Sequence, residues 1–332
     1  MKLYKKQLFI ISILTQSLIS FGQQRTVLFT ERDDKQTKCI YMLDHGKING
    51  GYVSYYHNGN KKSEGSFVNS YRSGKWIVWD STGKKRMERS YSNPFEYTRV
   101  FPPVPTEGPI PLLMENKYKL EYDNNGIVKY APLKAEDAIW RHKFWRSLEP
   151  ADNEVLFEKN RLFNLFKALA LSKKIAVYSA IDDRFSIILE ASQIKDIFDS
   201  TAAELIGFEI KEEKIFDMGR MLTEYRILGI APVVKINNTP RELFWVYYPD
   251  IRKFLGKVKV PANKNERIKT LDDLFIFREF ASRILKCTID NPYDRYIKNY
   301  PGMTKENIAK EQEAIEIKII EDENNIWLSL TK

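Results

Sequence analysis

The stretch GGYVSYYHNGNKKSEGSF, residues 50–67, is followed by GKWIVWDSTGKKRMERSY, residues 74–91, and the two align from end to end without a gap. The alignment matches Tyr52 with Trp76 and places a glycine-containing turn, HNGN or STGK, at the same point of each unit. Aromatic and polar residues alternate on both sides of that turn. The pattern predicts two consecutive antiparallel β-hairpins.

These hairpins cannot be stable one at a time, because an isolated hairpin is marginal in water. We therefore expect consecutive units to stack and to bury their aromatic residues between them. Those residues are Tyr52, Tyr55, Trp76 and Trp79. A weaker earlier unit, LDHGKING, aligns with FVNSYRSG at the same spacing, so the repeats begin near residue 40. We assign residues 23–93 to the repeat region.

The N-terminal stretch, residues 1–22, has the features of an export signal. Three lysines precede an apolar run from Leu8 to Phe21, and small residues follow it. The run is too short for a hydrocarbon core that needs about 20 residues, which favours a cleaved signal peptide over an uncleaved anchor. We expect an exported, periplasmic protein without an attached lipid. Its two cysteines, Cys39 and Cys287, are expected to be free thiols, because nothing local supports their pairing.

Proline dominates the stretch after the repeats. Six of the 14 prolines fall between Pro94 and Pro111. Each proline removes a backbone donor, so this stretch predicts a stiff, extended linker without a regular ladder, over residues 94–134. An alternative is that the proline-rich strand docks into an aromatic groove of a partner.

Residues 135–332 mix helical and strand patterns without a βαβ repeat, which predicts an α+β domain with a central antiparallel sheet. NRLFNLFKALALSKK has one apolar helical face, and EYRILGIAPVV and ELFWVYYP are the expected central strands, joined by a hairpin turn. A helix capped by Thr270 is predicted to reach Leu285, and another runs from Thr304 to Trp327. We expect this domain to fold without the repeats.

Catalysis has little support in the sequence. The three histidines are scattered, so no metal site is expected, and a nucleophile elbow and a phosphate-cradling glycine loop are both absent from the sequence. The pairs Asp182–Asp183 and Asp272–Asp273 could supply acid–base chemistry, but the first lies in a predicted turn and the second at a helix start. The net charge of +9 is spread among many acidic residues, which argues against a nucleic-acid surface. We predict a non-enzymatic protein without a cofactor.

Large aromatic residues and arginine are concentrated in the second half of the chain, and these residue types dominate the energetics of protein contacts. They could also fill an ordinary core. As candidate partner-binding residues we select Tyr248, Arg295, Trp245, Tyr293 and Tyr296.

Two resemblances complete the prediction. The glycine–aromatic pattern of the opening hairpins resembles bacterial MORN-like repeats. The strings LFWVYYPD and NPYDRYIKNY, together with the order of the segments from Ile139 to Trp327, resemble the gliding motility protein family GldN, also called PorN.

The GldN resemblance implies a periplasmic structural component of the type IX secretion system of Bacteroidetes. It would assemble with an outer-membrane lipoprotein of the GldK or PorK type into rings, as one of many copies, and would contact a GldM or PorM component. It implies no catalytic residue and no cofactor. An alternative is a stand-alone exported protein that binds a protein or a glycan through its MORN-like repeats.

Overall fold

The computed structural model describes residues 25–30, 37–103, 120–200, 204–261 and 266–330. The expected signal peptide lies outside the described residues. Among the residues described, no helix is long and apolar enough to cross a membrane. Cys39 and Cys287 are both buried free thiols, as expected.

The first part of the chain forms one antiparallel sheet in which every strand pairs with its neighbour in sequence. Its strands are β1 (Arg25–Thr30), β2 (Thr37–Asp44), β3 (Lys47–Tyr55), β4 (Lys61–Val68), β5 (Tyr71–Trp79), β6 (Lys85–Asn93) and β7 (Glu96–Phe101). The predicted turns are present, and Gly59 and Gly83 occupy them with φ of 84° and 86°. The spacing of the sequence repeat is therefore the length of one two-strand unit.

The remaining strands form a second antiparallel sheet, in the order β14-β8-β10-β11-β13-β9, with β12 paired to β11. They are β8 (Ala138–Leu148), β9 (Tyr178–Ser179), β10 (Glu204–Asp217), β11 (Leu222–Ile236), β12 (Thr239–Glu242), β13 (Phe244–Tyr247) and β14 (Arg283–Cys287). The helices are α1 (Glu154–Phe157), α2 (Arg161–Leu171), α3 (Ala191–Ser200), α4 (Tyr248–Leu255), α5 (Leu271–Ile276) and α6 (Lys305–Leu330). The α+β class and the antiparallel sheets confirm the predicted fold.

One face of the second sheet is covered along its whole length. At one end Phe208 and Ile210 of β10 pack in a core with α2, α4 and α5. Further along the same strand, Phe216 packs instead with Val78 of the first sheet and Trp327 of α6. Successive side chains of a strand point to opposite faces, so Glu209 and Lys211 lie on the other face of this sheet.

The long helix α6 joins the two sheets. Its Ile317 and Ile320 pack in one cluster with Tyr52 and Trp76 of the first sheet. The expectation that hairpins stack on one another is therefore corrected, because the hairpins lie side by side in one sheet. Tyr52 and Trp76 are buried on its inner face, under α6, with ring centroids 5.7 Å apart. Tyr55 and Trp79 are only half-buried.

Two further expectations need correction. Residues 96–101, which we assigned to an extended linker without a ladder, form β7 and pair with β6. The prolines of this stretch lie just outside that strand. The helix capped by Thr270 has the expected cap, with the Thr270 side chain accepting from the Asp273 amide, but it ends at Ile276. Arg278 then takes a φ of 57°, and residues 283–287 form β14 rather than a helix.

Candidate functional site

A groove of about 440 Å³ opens on the face of the second sheet that carries Glu209 and Lys211. Its walls come from three segments: the turn after β9, the strands β12 and β13, and the strand β14 with the loop that follows it. The lining residues are Ala180, Ile181, Asp182, Asp183, Arg184, Glu242, Trp245, Lys286, Asp294 and Tyr296. Aromatic and charged side chains thus meet in one concave surface.

The turn at residues 180–187 is held by Phe185, which packs onto the sheet. Its ring lies 5.5 Å from the Tyr178 ring and 6.1 Å from the Trp245 ring. Gly229 of β11 makes this contact possible, because a Cβ atom there would lie 2.5 Å from Phe185 Cζ. The glycine therefore fixes the position of the turn that carries Asp182 and Asp183.

Asp183 has a structural role in this turn. Trp145 Nε1 donates to Asp183 Oδ2 over 2.5 Å, and Lys211 Nζ donates to Asp183 Oδ1 over 3.1 Å. Asp182 accepts from the Arg184 amide and from the Ser186 hydroxyl within its own loop, which lowers its pKa. Each carboxylate thus helps to fix the turn, Asp183 through Trp145 and Lys211 and Asp182 through its own loop.

Lys286 lies between the sheet and the following loop. Its Nζ atom is 3.8 Å from the centroid of the Trp145 ring and donates to Asp294 Oδ2 over 3.0 Å. Asp294 belongs to the loop at residues 290–296, where the Asn291 side chain bonds the backbone of Arg295 in both directions. The lysine thereby holds that loop against the groove.

A pair of carboxyl groups lies at the other side of the groove. Glu209, on β10, is 3% exposed, and the Tyr296 hydroxyl donates to its Oε1 over a long 3.5 Å. Burial, with the neighbouring charge of Glu242, raises the pKa of Glu209 to about 8. Burial also raises the pKa of Tyr296. At neutral pH the Glu209 carboxyl therefore keeps a proton, which it can share with Glu242.

The structure brings together four of the five candidate partner-binding residues in and around this groove. Trp245 and Tyr296 line it, although Trp245 is mostly buried. Tyr293 is 76% exposed, and the Arg295 guanidinium lies 4.9 Å from its ring centroid, in the loop that also carries Tyr296. We refer to Tyr293 and Arg295 as the rim. The groove and the rim form one continuous candidate site for a protein partner.

Tyr248 lies elsewhere, in the core. It is fully buried at the start of α4, and its hydroxyl donates to Asp272 Oδ1 over 2.8 Å. Arg252 donates to both oxygens of the same carboxylate, over 3.0 Å and 2.8 Å. Asp272 thus ties α5 to α4, and Tyr248 has no exposed surface to offer to a partner. The selection of this residue for partner contact is corrected accordingly.

Four residues were missed from the sequence: Glu209 and Lys211, which lie beside the groove on β10, and Glu242 and Lys286, which line it. The first two belong to β10, whose sequence ELIGFEIKEEKIFD carries charges on both faces and so lacks the apolar alternation of a strand. A strand assignment for this segment would have placed Glu209 and Lys211 on one face. Within the described part of the chain, no group of three or more potential metal-ligating residues occurs.

Aromatic residues and arginine, which meet in this groove and its rim, are the residue types that are enriched in protein interfaces. The chain belongs to the GldN family of gliding motility associated proteins, whose family model matches residues 133–328. That range covers the whole second sheet, the groove and nearly all of α6. Membership makes the chain a component of the gliding motility and type IX secretion machinery. No curated protein matches it.

Proposed function

We propose that this chain is a non-enzymatic, periplasmic structural part of the type IX secretion and gliding apparatus. In this proposal it assembles with a GldK- or PorK-like outer-membrane lipoprotein into a ring-like complex of many copies and contacts a GldM- or PorM-like component. The observation that carries the proposal is the family match over residues 133–328. The signal-like residues 1–22 support export from the cytoplasm.

The groove and its rim are the surface that we assign to this assembly. Large aromatic residues and arginine supply most of the free energy in protein interfaces when they are desolvated on binding. Tyr293 and Arg295 are exposed in the free chain, and Ile181 at the opposite wall is 89% exposed. An exposed isoleucine and tyrosine beside a concave, charged surface favour a protein partner over a small polar ligand.

The alternative function, ligand binding by the MORN-like repeats, has less support. Two of the four aromatic residues of the repeats, Tyr52 and Trp76, are buried under α6. Tyr52 also donates its hydroxyl to Glu321 of that helix over 3.1 Å. A ligand on the inner face of the first sheet would have to displace the helix.

Capture of the tagged chain from the host envelope tests the proposal. We expect the lipoprotein to co-purify in a very large complex, and we expect deletion of the gene to abolish secretion through this pathway. Arg295→Glu should weaken capture at least tenfold. Lys84→Glu, a charge reversal at an exposed turn of the first sheet, is the matched control and should leave capture unchanged. Recovery of a small, lipoprotein-free species would contradict the proposal and favour the stand-alone alternative.

A further inference from the structure

The carboxyl pair of the groove differs from the buried acids of this chain that have an arginine partner. Glu212 pairs with Arg146 over 2.6 Å and also with Arg278, and Asp272 pairs with Arg252. Within the residues that the structure describes, neither Glu209 nor Glu242 has an ion-pair partner. A buried carboxylate is costly unless a cation or several donors compensate it. The described part of the chain therefore places no cation in direct contact with this pair.

The position of this pair is accessible through the groove. Glu242 and Tyr296 both line the groove, and both interact with Glu209. Trp245 forms the adjacent wall, so an incoming group would meet a carboxyl pair on one side and aromatic rings on another. Aromatic faces and carboxylates both attract cations. Lys286 acts on Glu209 only from a distance, because its ammonium group is bonded to Asp294 and makes no ion pair with either acid of the pair.

We propose that the groove receives a cationic side chain, arginine in preference to lysine, from a protein partner, with the guanidinium placed beside the Glu209–Glu242 pair and against Trp245 and Tyr296. Arginine fits better because its planar fork donates to carboxylates in a bidentate manner and stacks on aromatic rings. The exposed Ile181 and Tyr293 at the edges predict apolar residues beside that arginine. This inference rests on the proposed function, since it names the chemistry that the partner presents to the groove.

Binding of the cation should release the proton of Glu209, and a purely structural role of the groove would not. The Glu209 carboxyl is protonated at neutral pH in the free chain. A guanidinium beside it favours the ionised form, so its arrival should release that proton. Binding at pH 7 should therefore release close to one proton per site, and the measured binding enthalpy should vary with the ionisation enthalpy of the buffer.

The experiment uses the full chain and the peptide Ac-Ala-Leu-Arg-Leu-Ala-NH₂ as the probe, titrated by calorimetry in two buffers at pH 7. The comparison peptide has citrulline, which is uncharged and nearly isosteric, in place of arginine. We expect the arginine peptide to bind at least tenfold more tightly and with proton release. Equal affinities of the two peptides, or no binding of either one, would overturn the proposal.

Two variants complete the test. Glu209→Gln keeps the shape of the protonated side chain, so it should fold, lose at least tenfold in affinity for the arginine peptide and abolish the proton release. Glu213→Gln is the matched control, because Glu213 lies on the same strand and face but pairs with the half-exposed Arg141. It should bind as the parent does. Unchanged binding by Glu209→Gln would refute the assigned position of the cation.

The outcomes distinguish a failure of the arginine proposal from a failure of the proposed function. Arginine-peptide binding that persists while the lipoprotein fails to co-purify would leave the groove chemistry standing and remove the assigned partner. Lipoprotein capture that survives Glu209→Gln, with no binding of the arginine peptide, would leave the apparatus role standing and remove the arginine.

Discussion

The Tyr52 hydroxyl donates to Glu321 Oε1 over 3.1 Å, which joins residues 269 positions apart in the sequence. Lys62 of the first sheet pairs with the other oxygen of the same carboxylate. Arg72 adds a second connection, because it pairs with Glu323 over 3.1 Å and lies between the rings of Trp76 and Trp327. The repeat sheet and the last helix of the GldN region therefore share one core.

This shared core predicts that the two sheets unfold together. Ile320→Ala removes a buried side chain at the junction and should lower the free energy of unfolding by about 2–4 kcal/mol. Urea unfolding followed by circular dichroism should show one transition, shifted as a whole. Lys310→Ala changes an exposed position of the same helix and serves as the control.

The same reasoning revises our expectation that residues 135–332 fold alone. Without the first sheet, Ile317, Ile320 and Trp327 of α6 would lose their apolar cover, and Glu321 would lose Tyr52 and Lys62. Two separate urea transitions in the full chain, with Ile320→Ala shifting only one of them, would instead support independent units.

A pair of glycines provides a sharp test of the packing in the first sheet. A Cβ atom on Gly65 would lie 2.3 Å from the Trp76 ring, whereas nothing lies within 4 Å of one on Gly51. Gly65→Ala should therefore displace the buried indole and cost about 1–3 kcal/mol of stability. Gly51→Ala, on the neighbouring strand, should be close to neutral. Equal melting temperatures for the two variants would show that Trp76 does not pack over Gly65.

The sequence predicts the parts of this fold that local patterns determine. The hairpin repeat follows from turn chemistry and alternation, and the start of α5 follows from the capping residue Thr270. Helix α6, near the end of the described chain, covers the inner aromatic face of the first sheet. A contact between segments so far apart in the sequence cannot be predicted from a local pattern. Strand β10 was missed because its buried charges are compensated by Arg146 and Arg278, which come from distant segments.

The candidate site was predicted only in part, for a related reason. The residue types around the groove could be recognised, and Tyr293, Arg295 and Tyr296 occur within four positions of one loop. Tyr248 belongs to an equally aromatic string, but it begins a helix whose first turn faces Asp272. Sequence alone does not separate a tyrosine that binds a partner from one that bonds a buried carboxylate.

Tyr248→Phe tests the corrected role of that residue. The substitution removes the hydroxyl that donates to Asp272 but leaves both donors of Arg252 in place. The free energy of unfolding should fall by no more than about 1.5–3 kcal/mol, the contribution of one hydrogen bond to a charged group. Thermal unfolding measures it, and Tyr293→Phe at the exposed rim should leave the melting temperature unchanged. A variant of normal stability that fails to capture the lipoprotein would restore Tyr248 as a contact residue.

Glu209 predicts a pH dependence of stability whose sign can be worked out. Its pKa is about 8 in the folded chain, against an ordinary value of 4.5. Between these values the folded state holds a proton that the unfolded state has lost, so stability falls as pH rises through this window and levels off above pH 8. The slope is at most about 1.4 kcal/mol per pH unit for one group.

Other groups titrate as well, so the measurement is the difference between the parent and Glu209→Gln. Lys47 acts with the opposite sign, because burial lowers its pKa to about 7, and its contribution raises stability between pH 7 and its ordinary value of 10.5. Urea unfolding should be measured at pH 5, 6 and 6.5, which are all below the range in which Lys47 contributes. The parent should lose stability relative to Glu209→Gln over this range. Parallel curves for the two proteins would mean that the pKa of the Glu209 carboxyl is the same in the folded and the unfolded chain.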